Sequence, residues 1–208
     1  MLILLPPSEG KTEPVRGKPV DLAKLTFPEL TAARDALLTP QWRQAPAAAA
    51  EKVYTGVLYQ ALDVSTLPAE ARRHLRRAVL VFSALWGVVG LGDRIPAYKL
   101  PAGAGTAAYW RRHLPARLGK GLVIDLRSGP YAAMWRPVGE HAVIRVLHER
   151  DGVRRTVSHF NKATKGRIVR DLAISGVRPR TVDELVAVLR DLKHTIEREE
   201  DRVDVIVE

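Results

Sequence analysis

Three short apolar runs constrain the fold of this chain more than any other feature. Residues 1–5, 78–82 and 121–126 consist almost entirely of apolar side chains. A run of this length is typical of a strand that is buried on both faces of a sheet. Because segments with helical periodicity separate the runs, we predict an α/β fold in which helices flank a partly buried sheet.

The rest of the chain supplies further predicted elements. Helical periodicity predicts helices over Phe27–Leu38 and Gln41–Lys52, and we expect Thr26 to cap the first of them. Residues 83–99 hold three glycines, a proline and two aromatic rings, a composition that predicts a long irregular connection. The alternation in Val203–Val207 predicts an edge strand.

Polar side chains collect where the predicted strands end. The tripeptide at residues 10–12, Gly-Lys-Thr, is not a phosphate-binding P-loop, because the glycine needed five residues before Gly10 is replaced by Leu5. Open α/β sheets nevertheless bind ligands beyond the carboxyl ends of their strands. The residues expected there are Ser8, Lys11, Tyr98, Lys99, Arg127, Ser128 and Tyr131. An ordinary surface loop explains Ser8 and Lys11 equally well.

Residues 158–172 combine several polar and charged candidate site residues with an apolar helical pattern. The residues that would share one face of an early-starting helix are Asn161, Lys165, Ile168 and Leu172. A buried ammonium needs an anionic partner or a cleft, and Asp125 at the end of the third apolar run is one such partner for Lys165. The alternative is a helix that begins at Thr164 or later and leaves Lys165 in solvent.

Positive charge is concentrated in one part of the chain. The net charge is +10, and residues 145–180 hold ten Lys and Arg against three acids, a difference of +7. Such a balance favours polyanions or phosphates as partners, although a GC-rich genome would also enrich arginine. The same region predicts two helices joined at Gly176, with Thr181 and Glu184 as a capping box. Such a unit can bind a phosphate backbone, and a plain helical hairpin is the alternative. The arginines that would contact nucleic acid are Arg170, Arg178 and Arg180.

Several classes of protein and site are disfavoured by the sequence. The chain has no cysteine, no apolar stretch of about 18 to 20 residues and no basic region before its first apolar run. We therefore expect a cytoplasmic protein without membrane association or thiol chemistry. No HExxH pattern or close histidine pair occurs, so we predict neither a metal site nor a cofactor.

Five segments carry a family likeness. They are the opening LILLPPSEGKT, Val53–Gly56, Leu85–Leu100, Val123–Tyr131 and Ser158–Gly166. In this order they resemble the YaaA family of peroxide-stress proteins. The resemblance implies a single α/β domain over residues 1–208, with a mixed sheet, a helix-hairpin-helix unit and a basic cleft. It also implies binding of duplex DNA and limitation of free iron and of oxidative DNA damage.

The resemblance assigns residues to the basic cleft. They are Ser8, Lys11, Tyr98, Lys99, Ser128, Tyr131, Lys162 and Lys165. The chain departs from the family pattern in being shorter than many relatives and in carrying Gly90–Asp93 where Arg-Pro-Leu-Asp is usual. Asn161 and Ala163 also make the motif around Lys162 less basic.

Two functional hypotheses follow, and the oligomeric state is left open. The first is a non-catalytic peroxide-stress protein that binds duplex DNA. The second is an enzyme for a small anionic, nucleotide-like substrate, with Lys165 or Lys162 as base or electrophilic stabiliser. In it Ser8, Ser128 and Tyr131 position the substrate. The further ligand contacts expected are Lys11, Tyr98, Lys99, Arg127, Asn161, Gly166 and Arg167. A structural module that is basic only for solubility is a third alternative.

Overall fold

A mixed β-sheet forms the centre of the structure, as the apolar runs predict. The computed structural model describes residues 1–207, apart from the side chains of Ser158 and His159. The strands are β1 (Leu2–Leu5), β2 (Ala48–Ala49), β3 (Val79–Ser83), β4 (Gly87–Gly90), β5 (Arg94–Ile95), β6 (Val123–Asp125), β7 (His141–Arg150), β8 (Val153–Arg155), β9 (Thr195–Glu199) and β10 (Arg202–Val207). The α-helices are α1 (Thr31–Asp35), α2 (Pro40–Gln44), α3 (Ala50–Val53), α4 (Val57–Leu62), α5 (Ala69–Ala78), α6 (Thr106–His113), α7 (Ser158–Ser175) and α8 (Val182–Asp191).

The main sheet has five parallel strands between two antiparallel edges. Its order is β4-β3-β1-β6-β7-β10-β9, and β8 pairs with the end of β7. Strands β3, β1, β6, β7 and β10 run parallel, whereas β4 and β9 run antiparallel to their neighbours. Strands β2 and β5 pair separately. The carboxyl ends of all five parallel strands therefore point in the same direction and lie at the same end of the sheet.

Helices cover both faces of the sheet. Side chains alternate along β1, so that Ile3 and Leu5 enter one hydrophobic cluster and Leu2 and Leu4 enter the other. The first cluster also takes apolar side chains from α3, α4, α5, α7 and α8, and the second takes them from α1 and α6. The predicted α/β class with flanking helices is confirmed.

The predicted helix Phe27–Leu38 is wrong in its length and in its cap. The segment contains a single 3₁₀ turn over Pro28–Leu30 and the five-residue α1. Thr26 does not cap it, because its N–H and hydroxyl both donate to the carboxylate of Asp93. The predicted helix Gln41–Lys52 is likewise divided into α2, β2 and α3.

A buried arginine ties this amino-terminal segment to the sheet. The guanidinium of Arg34 donates to the carbonyl oxygens of Trp86 and Val88 at 3.1 and 2.8 Å. It also donates to the carbonyl oxygens of Thr26 and Phe27 at 2.6 and 3.0 Å. Burial lowers the pKa of Arg34 to about 10. The burial of Arg34 could not be predicted from the sequence, because its partners are backbone atoms of other segments of the chain.

Residues 83–99 are more regular than the sequence predicts. They form the edge strand β4 and the short β5, and β4 is buried throughout. Asp93 orders the turn between them, since its carboxylate accepts from Gly90 N at 3.0 Å and from Thr26. The expectation of a long irregular connection is therefore wrong.

The predicted edge position of Val203–Val207 is also wrong. Strand β10 lies inside the sheet, between β7 and β9. The edge is formed by Thr195–Glu199, whose charged and exposed side chains hide its strand character in the sequence.

Helix α7 begins early, at Ser158, as one of the two sequence alternatives requires. It ends at Gly176, which adopts a left-handed conformation at φ 69°. Thr181 then caps α8 through a hydrogen bond from Glu184 N. Within residues 1–207, the longest helices are too short or too polar to cross a bilayer.

Candidate functional site at the carboxyl ends of the central strands

The loops that follow β1, β3 and β6 meet at one end of the sheet. The order of strands along the chain reverses at β1, since β3 lies on one side of it and β6 on the other. Open α/β sheets bind ligands at such a reversal. The loop after β1 contributes Ser8 and Lys11. The end of β3 contributes Ser83, and the loop after β6 contributes Arg127.

Helix α7 brings Lys165 to this end of the sheet. Its Nζ donates to Leu126 O at 2.8 Å, and Arg127 O lies 3.5 Å away. Burial lowers the pKa of Lys165 to about 8, and the negative charge of Asp125 opposes part of that shift. The ammonium is thus held by carbonyl dipoles, without a directly bonded carboxylate in the described part of the chain.

The predicted pairing of Asp125 with Lys165 is not what the structure contains. The Asp125 carboxylate accepts from Arg127 Nε at 2.9 Å and from Nη2 at 2.6 Å. Arg127 lies only two residues further along the chain, so it reaches the carboxylate first. Its guanidinium also packs 4.1 Å from the ring centre of Phe82 and donates to Trp135 O. Arg127 is therefore buried, and its hydrogen bonds hold the turn after β6.

The loop after β1 is closed by its own hydrogen bonds. Ser8 Oγ donates to Gly10 O and accepts from Gly56 N, both at 2.5 Å. Lys11 Nζ donates to Ser8 O at 2.6 Å and lies 4.4 Å from the ring centre of Tyr98. Burial lowers the pKa of Lys11, and the charge of Glu9 opposes this shift. Ser8 thus shapes the loop, and Lys11 is a second partly desolvated cation.

A chain of three hydroxyl groups lies under Lys11. Tyr98 OH lies 2.9 Å from Tyr54 OH and 2.7 Å from Ser83 Oγ. Ser83 Oγ also accepts from the backbone N–H groups of Leu85 and Trp86. Burial raises the pKa of Tyr98 and of Tyr54, so both hydroxyls stay protonated at neutral pH.

Of the three residues whose hydroxyl groups are linked in this way, sequence reasoning identified only Tyr98 as a site residue. Ser83 was accessible to the same argument, since it directly follows the second apolar run. Tyr54 carries no such signal, because its position depends on a contact across 44 residues of chain.

The remaining predicted residues lie around this centre. Lys162 Nζ lies 3.5 Å from Glu9 Oε1. Tyr131 is partly buried, which raises its pKa, and the charge of Glu9 contributes. Asn161 Oδ1 is buried and accepts no hydrogen bond in the described part of the chain. The predicted ligand contacts that are exposed are Lys99, Ser128 and Arg167.

Two residues of α7 that the sequence associates with ligands have packing roles. A Cβ added to Gly166 would lie 2.2 Å from Leu58 O, so this glycine allows α7 to contact α4 closely. Arg170 Nη1 donates to the carbonyl oxygens of Leu62 and Asp63 at 3.0 and 2.9 Å. Arg170 thus satisfies the last carbonyl groups of α4.

Arg178 and Arg180 lie at the other end of the sheet. Together with Met1, which precedes β1, they line a recess that also contains Gly121 and Leu122, the two residues before β6. The arginines predicted to contact nucleic acid, Arg178 and Arg180, therefore lie at the opposite end of the parallel strands from Lys11 and Lys165. No group of three or more His, Asp or Glu side chains within the described residues is placed to hold a metal ion.

Comparison with known proteins gives consistent matches. The family model described as "Peroxide stress protein YaaA" matches residues 21–199. A UPF0246 protein of Streptomyces coelicolor is 44% identical, with 96% of this chain and 93% of the relative covered. A UPF0246 protein of Corynebacterium efficiens is 37% identical, with 99% and 98% covered. One from Corynebacterium glutamicum is 36% identical, with 90% and 91% covered.

Proposed function

The chain belongs to the YaaA family of peroxide stress proteins, and on this premise we propose that it binds duplex DNA or another phosphate-rich ligand during peroxide stress. The contact surface is the carboxyl end of the central strands. Binding there shields DNA and so limits iron-driven oxidative damage. The proposal takes residues 1–208 as one domain acting in the cytoplasm.

One observation carries this proposal: two ammonium groups at that end, Lys11 and Lys165, are partly desolvated and have lowered pKa values. A desolvated cation is stabilised by any anion that replaces its lost water. Lys162 and Lys99 are more exposed and add positive charge for phosphates that lie outside the loops. A phosphate-bearing ligand fits both requirements.

The salt dependence of DNA binding tests this proposal. We expect binding of a 20-base-pair duplex, followed by fluorescence anisotropy, to weaken by orders of magnitude between about 50 and 200 mM salt. The double substitution Lys99→Ala/Lys162→Ala removes two phosphate contacts and lowers the slope of log K against log salt by about 2. Lys18→Ala/Lys52→Ala removes the same charge from exposed positions elsewhere and is the control.

Two results would overturn DNA binding at this surface. One is the absence of binding at low salt. The other is an equal loss in both double variants, which would indicate a general effect of net charge. Survival of a deletion strain in hydrogen peroxide, restored by the wild type and less by Lys99→Ala/Lys162→Ala, connects the surface to the stress response.

A second candidate function is an enzyme acting on a small anionic, nucleotide-like substrate. The observation that favours it is Asn161 Oδ1, which lies one helical turn before Lys165 and is buried without a hydrogen-bond partner among the described side chains. A donor group on a substrate would satisfy this acceptor, and Lys165, with a pKa of about 8, is poised as a base or electrophile. Tyr131 and Ser128 would position the substrate.

A thermal-shift panel of nucleotides and phosphorylated metabolites tests the enzyme hypothesis. A substrate should raise the Tm of the wild type and of Lys52→Met, but not that of Lys165→Met. Equal shifts in all three proteins would refute the hypothesis, and so would the absence of any shift. DNA binding that survives Lys165→Met would leave the first proposal intact.

A further inference from the structure

A cationic recess lies at the amino ends of the central strands, opposite the lysines described above. Its volume is about 480 Å³, and it is lined by Met1, Glu70, Arg73, His74, Arg77, Ala78 and Arg178. We propose that this recess binds the phosphate group of a small phosphorylated molecule. The site is separate from the one assigned under the proposed function and does not depend on it.

The arginines of the recess have no acidic partner within the described residues. Arg73, Arg77 and Arg178 make no ion pair with any described carboxylate, and Glu70 is the only acidic side chain in the lining. Arg76, on another face of the same helix, is paired with Glu51. Arg73 and Arg77 are four residues apart on α5, so like charges face each other along the helix. A bound anion would relieve this repulsion.

His74 supplies a hydrogen-bonding atom that nothing in the described protein uses. It lines the same recess, and its Nε2 is buried without a partner. Burial lowers the pKa of His74, and the positive charges of Arg178, the amino group of Met1 and Arg77 lower it further. These groups line the recess together with His74. A buried polar atom without a partner is rare, and a phosphate oxygen can satisfy it.

The recess continues into a second one with a different lining. This neighbour shares Met1 and Arg178 and has a volume of about 500 Å³. It is also lined by Lys120 and Arg180, and Leu122 and Pro179 provide apolar surface. Both volumes are in the range of small-molecule sites, roughly 300 to 1,000 Å³. Cations line both recesses, and the apolar surface of Leu122 and Pro179 in the second one fits a phosphate ester better than free phosphate.

Isothermal titration calorimetry with four probes tests the site: inorganic phosphate, AMP, adenosine and a 20-base-pair duplex. We expect AMP to bind more tightly than phosphate, and adenosine to bind at least tenfold more weakly than AMP. Arg73→Gln/Arg77→Gln should weaken AMP binding at least tenfold, because charge-assisted hydrogen bonds are lost. Arg111→Gln/Arg112→Gln removes two exposed arginines from α6 and should leave AMP binding unchanged.

The Tm without ligand separates loss of the site from loss of the fold. Because Arg73 and Arg77 repel each other, Arg73→Gln/Arg77→Gln should be at least as stable as the wild type. Three results would overturn the proposal: no AMP or phosphate binding by the wild type, equal affinities in the two double variants, or binding of the duplex alone. Loss of DNA binding in Lys99→Ala/Lys162→Ala with AMP binding retained would show that the two ends are independent.

Discussion

The charge of Lys165 is poorly compensated by its surroundings. Its ammonium is largely buried, yet its bonded partners are carbonyl oxygens, because Arg127 occupies the nearby carboxylate of Asp125. The positive charge is therefore only partly compensated. An anion entering at this end of the sheet would raise the pKa of Lys165 and gain binding energy from doing so.

The titration of Lys165 is the first prediction. In ¹³C NMR spectra of the reductively methylated protein, one lysine resonance should titrate near pH 8 and be absent in Lys165→Met. Between about pH 8 and 10.5 the unfolded chain binds a proton at this residue that the native state does not. The unfolding free energy of the wild type should therefore rise with pH relative to Lys165→Met, by on the order of 3 kcal/mol.

Lys52→Met is the control for this titration, since Lys52 is exposed on α3. Its stability should follow that of the wild type across the same pH range. If every lysine resonance titrated above pH 10, the assigned environment of Lys165 would be wrong.

For single residues, the sequence predicts which way a side chain points better than it predicts which partner that side chain binds. The helical spacing of residues 161–172 correctly turns Lys165 inward, because side-chain direction follows from helix geometry alone. The partner of Asp125 could not be predicted in the same way, since two cations compete for one carboxylate and only the turn after β6 decides between them.

Helices α4 and α7 pack closely against each other beside the site. Gly166 faces Leu58 O and Ala61, leaving no room for a side chain. The contact brings α7 near enough to the sheet for Lys165 to reach Leu126 O. The position of the Lys165 ammonium thus depends on the absence of a side chain at Gly166, the next residue.

Gly166→Ala is the second prediction. Alanine favours a helix by about 1 kcal/mol over glycine, but the added Cβ would overlap Leu58 O. We expect a net loss of about 1 to 3 kcal/mol in the unfolding free energy, measured by urea denaturation. Gly103→Ala, at a position with open space, should change it by less than about 0.5 kcal/mol. Equal effects of both substitutions would contradict the packing role of Gly166.

Elements with a strong apolar pattern were predictable, and charged elements were not. Strands β1, β3 and β6 and helix α7 follow from the spacing of apolar residues. Strand β9 was missed because only Ile196 is buried in it, so its alternation is carried by charged side chains. Helix Gln41–Lys52 failed because alanine-rich composition favours a helix while the pairing of β2 with β5 overrides it.

Across the whole molecule, charge is arranged by the direction of the strands. Lysines and tyrosine hydroxyls lie at the carboxyl ends, and arginines with His74 lie at the amino ends. Helix α7 runs between the two and is about 27 Å long for 18 residues. Lys165 and Arg178 both belong to the basic stretch at residues 145–180, and the fold places them at opposite ends of the parallel strands.

Arg34 gives the third prediction, because it joins segments that are far apart in the chain. Arg34→Met would leave four carbonyl oxygens without their donor and should cost about 3 to 5 kcal/mol of unfolding free energy. Arg43→Met breaks the exposed pair with Asp35 and should cost less than about 1 kcal/mol. Urea denaturation of both variants measures the difference, and similar costs would contradict the tethering role.

The two outer strands of the main sheet, β4 and β9, are each protected against pairing with a further strand. Along β4, the guanidinium of Arg34 occupies the carbonyl oxygens of Trp86 and Val88 that a foreign strand would need. Along β9, alternating glutamate and arginine side chains make docking of another strand unfavourable. These two outer strands of the main path therefore offer another strand little opportunity to extend the sheet.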